Sequence, residues 1–221
     1  MTYRLVICSL AAFVLFGSQA TAADWVRFRG PQGSGTSDER GLPQTWSDTE
    51  NIAWKAELPG AGTSSPVIVG DRVFVTCYSG YGLDAADPGD KDKLVRHVVA
   101  LDRTTGKSVW SKPLMPKQTE SSYSGGNNTW HGYASSTPTS DGQRLYVFFG
   151  ASGVYCFDVA DGAERWHADV GSKTAGWGSG NSLLLVDDLL IVNASIESGA
   201  LLALNKQTGE VVWRADRIGG G

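Results

Sequence analysis

Side chains that could bind a ligand or take part in catalysis are concentrated in the irregular stretches between apolar, strand-like runs. Aromatic rings accompanied by an imidazole, an amide and a carboxylate could hold a flat or polar ligand. The candidates are Tyr78, Tyr81, Asn127, Trp130, His131, Tyr133, Trp177 and Glu197. A second interpretation stays open, in which the rings only pack the loops and His131 bonds a loop carbonyl. Residue types alone assign no catalytic residue.

The acidic run Asp84, Asp87, Asp90 and Asp92 is the stretch whose composition suggests a metal site. Its spacing does not match the D-x-[DN]-x-[DN]-G loop that binds calcium, and Lys91 and Lys93 interrupt it. We therefore expect a solvated loop there and assign no metal ligands.

One sequence pattern occurs three times and predicts the strands that must position the candidate residues. Each copy has an apolar pair, an Asp or Asn, three residues, a Gly, and a Trp four positions after the Gly. The copies end at Trp110, Trp166 and Trp213, and Trp54 precedes the first of these by 56 residues. Asp or Asn starts a turn and Gly closes it in the left-handed conformation, so each copy predicts a β-hairpin.

A second hairpin precedes each copy, with turns at Gly70-Asp71, Asp141-Gly142 and Asp187-Asp188. Each repeat is therefore predicted to be a four-stranded antiparallel meander in an all-β chain. A unit of about 50 residues cannot bury both faces alone, and radial stacking of such units gives a β-propeller. We expect four tryptophans to be structural, each docking one blade on its neighbour: Trp54, Trp110, Trp166 and Trp213.

The chain is predicted to contain a signal peptide at 1–22, an N-terminal arm at 23–50 and a partial propeller at 51–221. The repeats span 64–114, 135–171 and 182–216, and a lone strand at 52–58 resembles the outermost strand of another blade. A propeller ring needs about 4 to 8 blades. About three blades and one strand therefore predict a fragment of a larger ring, with a half-propeller that dimerises as the alternative.

The first residues are typical of an export signal. Arg4 precedes an apolar run ending at Phe16, and Ala20 and Ala22 fit a signal-peptidase site. The run is too short for a stable anchor, so we expect a periplasmic or secreted chain with no transmembrane segment after cleavage.

The net charge of the chain is −4, so it offers no basic surface for binding nucleic acid. For the cysteines at 77 and 156 we favour two buried thiols over a disulfide.

Meander topology places the tight turns at one end of every blade. The loops between second and third strands, and the links between blades, lie at the other end, which we name the long-loop rim. Its long stretches, around 79–97, 115–134, 171–180 and 195–199, carry the candidates, apart from Tyr78 directly before the first of them. Long loops on a rigid scaffold are where binding residues usually lie, so we expect a protein partner or a small molecule to bind there.

The repeated A-L-D-x-x-T-G-x-x-x-W pattern resembles the signature of the pyrroloquinoline-quinone (PQQ)-like repeat propellers. The stretches D-W-V-R-F-R-G-P-Q-G-S-G and H-G-Y-A-S-S-T-P are similar to an exported, quinoprotein-like or BamB-like branch. This resemblance covers nearly the whole mature chain and implies an eight-bladed ring, which the strand at 52–58 would close by joining the C-terminal blade. The family includes both dehydrogenases and non-catalytic scaffolds, so its fold does not decide function.

The residues and the resemblance together support two functions of different classes. We rank a non-catalytic binding or assembly scaffold of the BamB type first. The alternative is a dehydrogenase of alcohols or sugars that requires PQQ and calcium. For it, the resemblance implies a calcium ligand set in which Glu197 and Asn127 or Asn128 are conceivable members. The chain lacks the adjacent cysteines that such enzymes often have. A carbohydrate-binding or hydrolytic propeller is a third interpretation, which rests on the rim aromatics alone.

Overall fold

The computed structural model describes residues 23–122, 131–175 and 178–219. These residues form three four-stranded antiparallel sheets, which confirms the predicted all-β propeller blades. The first sheet contains β1 (Val67–Val69), β2 (Arg72–Ser79), β3 (Val95–Asp102) and β4 (Ser108–Leu114). The second contains β5 (Thr139–Ser140), β6 (Arg144–Phe148), β7 (Val154–Asp158) and β8 (Glu164–Ala168). The third contains β9 (Leu184–Val186), β10 (Leu189–Ala194), β11 (Ala200–Asn205) and β12 (Val211–Asp216).

The turn between the third and fourth strands of each sheet is built as the repeated pattern predicts. In the first sheet, Oδ1 of Asp102 accepts from the backbone N–H groups of Thr104 and Thr105 and from the Thr105 hydroxyl. These hydrogen bonds hold the pKa of Asp102 below its usual value. Gly106 then closes the turn at φ +70°, a region that disfavours any side chain.

In the first two sheets, the second and third strands carry residues of opposite charge facing each other at the tight-turn end. Arg72 lies opposite Asp102 in the first sheet, and Arg144 lies opposite Asp158 in the second. In the third sheet the same pair of positions holds Leu189 and Asn205, so both charges are absent together. The register therefore tolerates a charged pair or a neutral pair at this end of the blade.

Two apolar cores lie between consecutive sheets. Large side chains of the first and second sheets, including Phe74, Leu145 and Phe157, make one core. Tyr146, Leu190 and Leu202 belong to the core between the second and third sheets. Both faces of the middle sheet are thus covered by neighbours, which is the arrangement expected for adjacent propeller blades.

Each of three tryptophans packs on the D/N-x-x-x-G turn of the following sheet. The indole N–H donates to the carbonyl one residue after the Asp or Asn, and the ring covers the turn glycine so closely that no Cβ would fit. The three pairs are Trp54 with Arg103 O at 2.9 Å and Gly106, Trp110 with Val159 O at 3.2 Å and Gly162, and Trp166 with Lys206 O at 3.1 Å and Gly209. Trp213, the fourth member, is 39% exposed.

Residues 52–58 differ from the expectation of a lone strand. They belong to none of the strands, and their backbone pairs with no strand in the described part of the chain. The ring of Trp54 nevertheless packs on the first sheet in the same way that Trp110 packs on the second. The segment therefore occupies the place of an outermost strand without forming one.

The N-terminal arm crosses the inner edge of two sheets. Trp25 exchanges two backbone hydrogen bonds with Ile68 of β1, each 2.9 Å long. The carbonyl of the next residue, Val26, accepts from the backbone N–H of Ser140 in β5. The arm thus ties the first blade to the second.

Cys77 and Cys156 are buried free thiols, as favoured from the sequence. Burial raises the pKa of Cys156 to about 12, which keeps that thiol protonated and unreactive. None of the helices in the described ranges is both long and apolar enough to cross a membrane.

Candidate functional site

The predicted tyrosines form one aromatic cluster beneath the long-loop rim. The Tyr133 ring packs edge-on against Tyr78 at 5.4 Å and lies 5.8 Å from Tyr81. All three side chains are less than 9% exposed. The hydroxyl of Tyr78 donates to the carbonyl of Gly82, and that of Tyr133 donates to the carbonyl of Ser121. These hydrogen bonds tie the rings to the loops, and Tyr133 also lines the small cavity described below.

A buried arginine joins the first two sheets at the same level. Arg96 of β3 is 4% exposed and pairs with Glu120 at 2.7 Å. Its Nε donates to the carbonyl of Tyr133 at 2.8 Å, and its Nη1 donates to the hydroxyl of Ser152 at 3.0 Å. The guanidinium also lies over the ring of Phe149, 5.5 Å from its centre, a cation–π contact. We call Arg96, Glu120, Tyr133, Phe149 and Ser152 the Arg96 cluster.

The Arg96 cluster holds stretches that are far apart in sequence. The Ser152 hydroxyl donates to Glu120 and accepts from the backbone N–H of Lys117. Nζ of Lys91 donates to the backbone carbonyl of Glu120 at 3.1 Å, so the loop before β3 is joined to the stretch after β4. A buried ion pair whose remaining donors and acceptors are satisfied is rigid, because breaking it exposes an uncompensated charge.

A small cavity adjoins this cluster and reaches the third sheet. Its volume is about 30 Å³, room for roughly one or two water molecules. The lining is rich in hydroxyl groups and includes Ser135, Ser136, Thr174 and Ser179 as well as Arg96 and Gly150. A Cβ on Gly150 would meet the hydroxyl oxygen of Ser179 at 2.6 Å, so glycine is required for this close approach.

Glu197 lies behind this lining and is only 1% exposed. Its Oε1 accepts a hydrogen bond from the hydroxyl of Ser179. Its Oε2 has no hydrogen-bond partner, and no other buried carboxylate oxygen in the described ranges shares this property. Burial raises the pKa of Glu197, and the Ser179 hydrogen bond offsets part of that effect. This carboxyl group can therefore take up a proton or a cation.

The raised pKa of Glu197 predicts a pH-dependent effect of Glu197→Gln. A folded-state pKa above the unfolded value contributes stability that is complete below the unfolded pKa and is lost as pH rises through the folded pKa. The neutral amide does not lose this stability. Glu197→Gln should therefore raise the melting temperature at about pH 8, and the difference from wild type should shrink towards zero near about pH 4.

Circular-dichroism melts of both proteins across this range measure the difference. Glu164→Gln is the matched control, because Glu164 is exposed on β8 and its charge is solvated in both states. A melting difference for Glu197→Gln that is equal at both ends of the range would contradict the prediction.

Of the remaining predicted residues, His131 lies within the described ranges. His131 is exposed, and its backbone carbonyl accepts from the hydroxyl of Thr63. Asn127, Trp130 and Trp177 lie outside the described residues.

The acidic run behaves as a turn-forming loop. Asp84, Asp87 and Asp90 each accept from a backbone N–H two residues later. Within the described ranges, no three or more His, Cys, Asp or Glu side chains are grouped as metal ligands would be.

Arg96 and Glu120 were not among the sequence candidates. The signal for Arg96 is its place in L-V-R-H-V-V-A-L, a charged residue within a run that must be largely buried. Such a residue requires a partner, because isolated charges are almost never buried. The partner, Glu120, lies in an irregular stretch and has no comparable signal.

Comparison with known proteins identifies the family. A family model described as "Outer membrane protein assembly factor BamB" matches residues 94–221, more than half of the chain. The chain belongs to this BamB-like family of PQQ-like repeat proteins. A curated BamB of Alkalilimnicola ehrlichii is 26% identical over 174 residues, covering 72% of this chain and 34% of the relative. The chain thus spans about a third of the length of that BamB.

Solved structures similar to this chain include a BamB and two dehydrogenases. BamB from Moraxella catarrhalis is 20% identical with a TM-score of 0.41, covering 72% of this chain and 53% of that protein. A europium-containing methanol dehydrogenase is 20% identical with a TM-score of 0.45, covering 71% and 25%. Quinohemoprotein alcohol dehydrogenase from Comamonas testosteroni is 17% identical with a TM-score of 0.48, covering 74% and 22%.

Proposed function

We propose that this chain is part of an exported, non-catalytic propeller that binds a protein partner on its long-loop rim. The observation that carries the proposal is the Arg96 cluster, which fixes loops of two sheets before any partner arrives. Loops that are already ordered lose little conformational entropy on binding, so more of the contact energy is available as affinity.

The rim also exposes apolar side chains above this fixed base. Leu83 is 55% exposed in the loop after β2, and Met115 is 56% exposed just after β4. Met115 lines a groove with Lys91, Lys117 and Glu120, so an apolar residue is surrounded by charged ones. An apolar centre with a polar border is the usual composition of a protein-binding patch.

The description of the family, "Outer membrane protein assembly factor BamB", supports a protein partner in the cell envelope. An exported chain with the leader proposed at 1–22 would reach the same compartment.

Site-specific photo-crosslinking in living cells tests this proposal. A photoreactive residue at 83 or 115 should give the same protein adduct, and one at 42 should not, because Leu42 is equally exposed but lies in the N-terminal arm. Leu83→Arg should remove the adduct formed from position 115. No adduct from either rim position, or the same adduct from position 42, would contradict the proposal.

The PQQ- and calcium-dependent dehydrogenase is the second candidate function. The buried carboxylate of Glu197 favours it. The orphan Oε2 is an oxygen ligand of the type calcium prefers, so this residue could hold one side of the ion. A calcium ion held there would supply Lewis-acid chemistry for a quinone cofactor. Added calcium and PQQ should then raise the melting temperature of wild type but not of Glu197→Gln. Turnover of alcohols or sugars would establish this candidate in place of the scaffold.

A further inference from the structure

We propose that the cleft between the first and second sheets, at their tight-turn end, binds a small molecule that carries a carboxylate, with Arg72 as its principal donor. This end of the blades is opposite the long-loop rim, so the inference does not depend on the function proposed for the rim. Both walls of the cleft are complete four-stranded sheets.

The second and third sheets show how two blades are joined at this end. Arg144, the first residue of β6, donates from Nη1 to the backbone carbonyl of Gln207 at 3.1 Å. Gln207 lies two residues after Asn205, in the turn that follows β11. One arginine of the second strand therefore spans the two blades and meets the turn of the next sheet.

The corresponding bond is missing between the first and second sheets. Arg72 has the position of Arg144 in the first sheet, and Ala160, two residues after Asp158, has the position of Gln207 in the second. Nη1 of Arg72 forms an ion pair with the neighbouring Asp71 at 2.7 Å.

The Nε of Arg72 is buried and has no hydrogen-bond partner among the described residues. A buried polar group without a partner destabilises the fold, so a ligand that supplies an acceptor should bind here. A carboxylate in the cleft would give this guanidinium the acceptor that Ala160 does not.

A cleft of about 550 Å³ lies between Arg72 and the turn of the second sheet, which is the size of a small-molecule site. Its lining includes three guanidinium groups, those of Arg72, Arg144 and Arg165, and two carboxylates, those of Asp71 and Asp158. Asp71 is paired with Arg72, and Asp158 is paired with Arg165. The lining therefore has one positive charge in excess.

The acidic neighbours favour a singly charged ligand. Oδ2 of Asp102 lies 4.0 Å from Nη1 of Arg72, so a third carboxylate is close to the guanidinium on the side of its own sheet. Asp71 and Asp102 would repel a phosphate dianion more than a carboxylate. The planar donor fork of a guanidinium also matches the two oxygens of a carboxylate.

Two-dimensional NMR of the full chain tests the site, with N-acetylglycine as the carboxylate probe and N-acetylglycinamide as its neutral match. The acid should shift the backbone amide signals of Val159 and Ala160, and the neutral probe should not. Arg72→Met should weaken binding by at least about tenfold, as expected for the loss of one hydrogen bond to a charged group. Arg214→Met is the matched control, because Arg214 also pairs with a nearby Asp but lies outside the cleft, and it should leave binding unchanged.

Ala160→Phe tests the position of the site without removing a charge. Ala160 is exposed in a turn, so this variant should fold, and its ring should fill the cleft and abolish the shifts. Arg72→Lys keeps the charge but not the planar fork, so it should bind the acid more weakly than wild type. Three results would overturn the proposal: no saturable shift up to about 10 mM acid, unchanged binding by Ala160→Phe, or tighter binding of inorganic phosphate than of N-acetylglycine.

Discussion

Arg96→Met should lower the free energy of unfolding by about 3–5 kcal/mol, the usual cost of removing one partner of a buried ion pair. Glu120, whose side chain is 9% exposed, would keep its charge without a counterion. The carbonyl of Tyr133 and the hydroxyl of Ser152 would each lose the hydrogen bond that Arg96 donates. Urea titration followed by fluorescence measures the loss.

Two further variants separate the ion pair from a general effect of charge removal. Lys55→Met breaks a pair with Asp48 in which both side chains are largely exposed, and it should cost less than about 1 kcal/mol. Adding Glu120→Gln to Arg96→Met should restore part of the lost stability, because the stranded carboxylate becomes neutral. Equal losses for Arg96→Met and Lys55→Met would show that the cluster does not fix the rim.

Gly162→Ala should destabilise the chain by about 2–5 kcal/mol. The residue has φ +68°, where a side chain costs about 1–2 kcal/mol. An added Cβ would also lie 2.7 Å from the Trp110 ring, and overpacking of this kind costs about 1–3 kcal/mol. The indole is held between two sheets, so the clash is relieved only if the turn and the ring are pushed apart, and the docking contact should then be lost.

Gly70→Ala is the matched control for the backbone part of that effect. Gly70 has φ +55° in a tight turn, and an added Cβ would meet nothing within 4 Å. The cost should therefore be only the left-handed conformation, about 1–2 kcal/mol. Chemical denaturation of both variants gives the difference, and equal values would mean that the Trp110 contact contributes nothing.

The blades could be predicted from the sequence because their signals are local. Asp102 and Gly106 lie within one hairpin turn, and the same spacing returns at Asn205 and Gly209. Turn chemistry at short range therefore predicted the sheets that the structure contains.

The interior of the rim could not be predicted in the same way. Tyr78, Tyr81 and Tyr133 were expected as a ligand surface or as packing, and their burial depends on loops whose paths no periodicity describes. The link from Arg96 to Glu120 joins a strand to an irregular stretch, so neither residue type nor spacing indicates it. Glu197 was a candidate because of its position in a loop. The lack of a hydrogen-bond partner at its Oε2 results from tertiary packing, which the sequence does not show.

The alternation of charged and neutral pairs at the tight-turn end has a consequence for exchanging repeats between propellers. A chimera that joins the second strand of the first sheet to the third strand of the third sheet would set Arg72 opposite Asn205, so the guanidinium would lose Asp102 across the strands and keep its neighbour Asp71. The reverse chimera would set Leu189 opposite Asp102. The smallest portion that can be transplanted without a mismatch is therefore the second and third strands together.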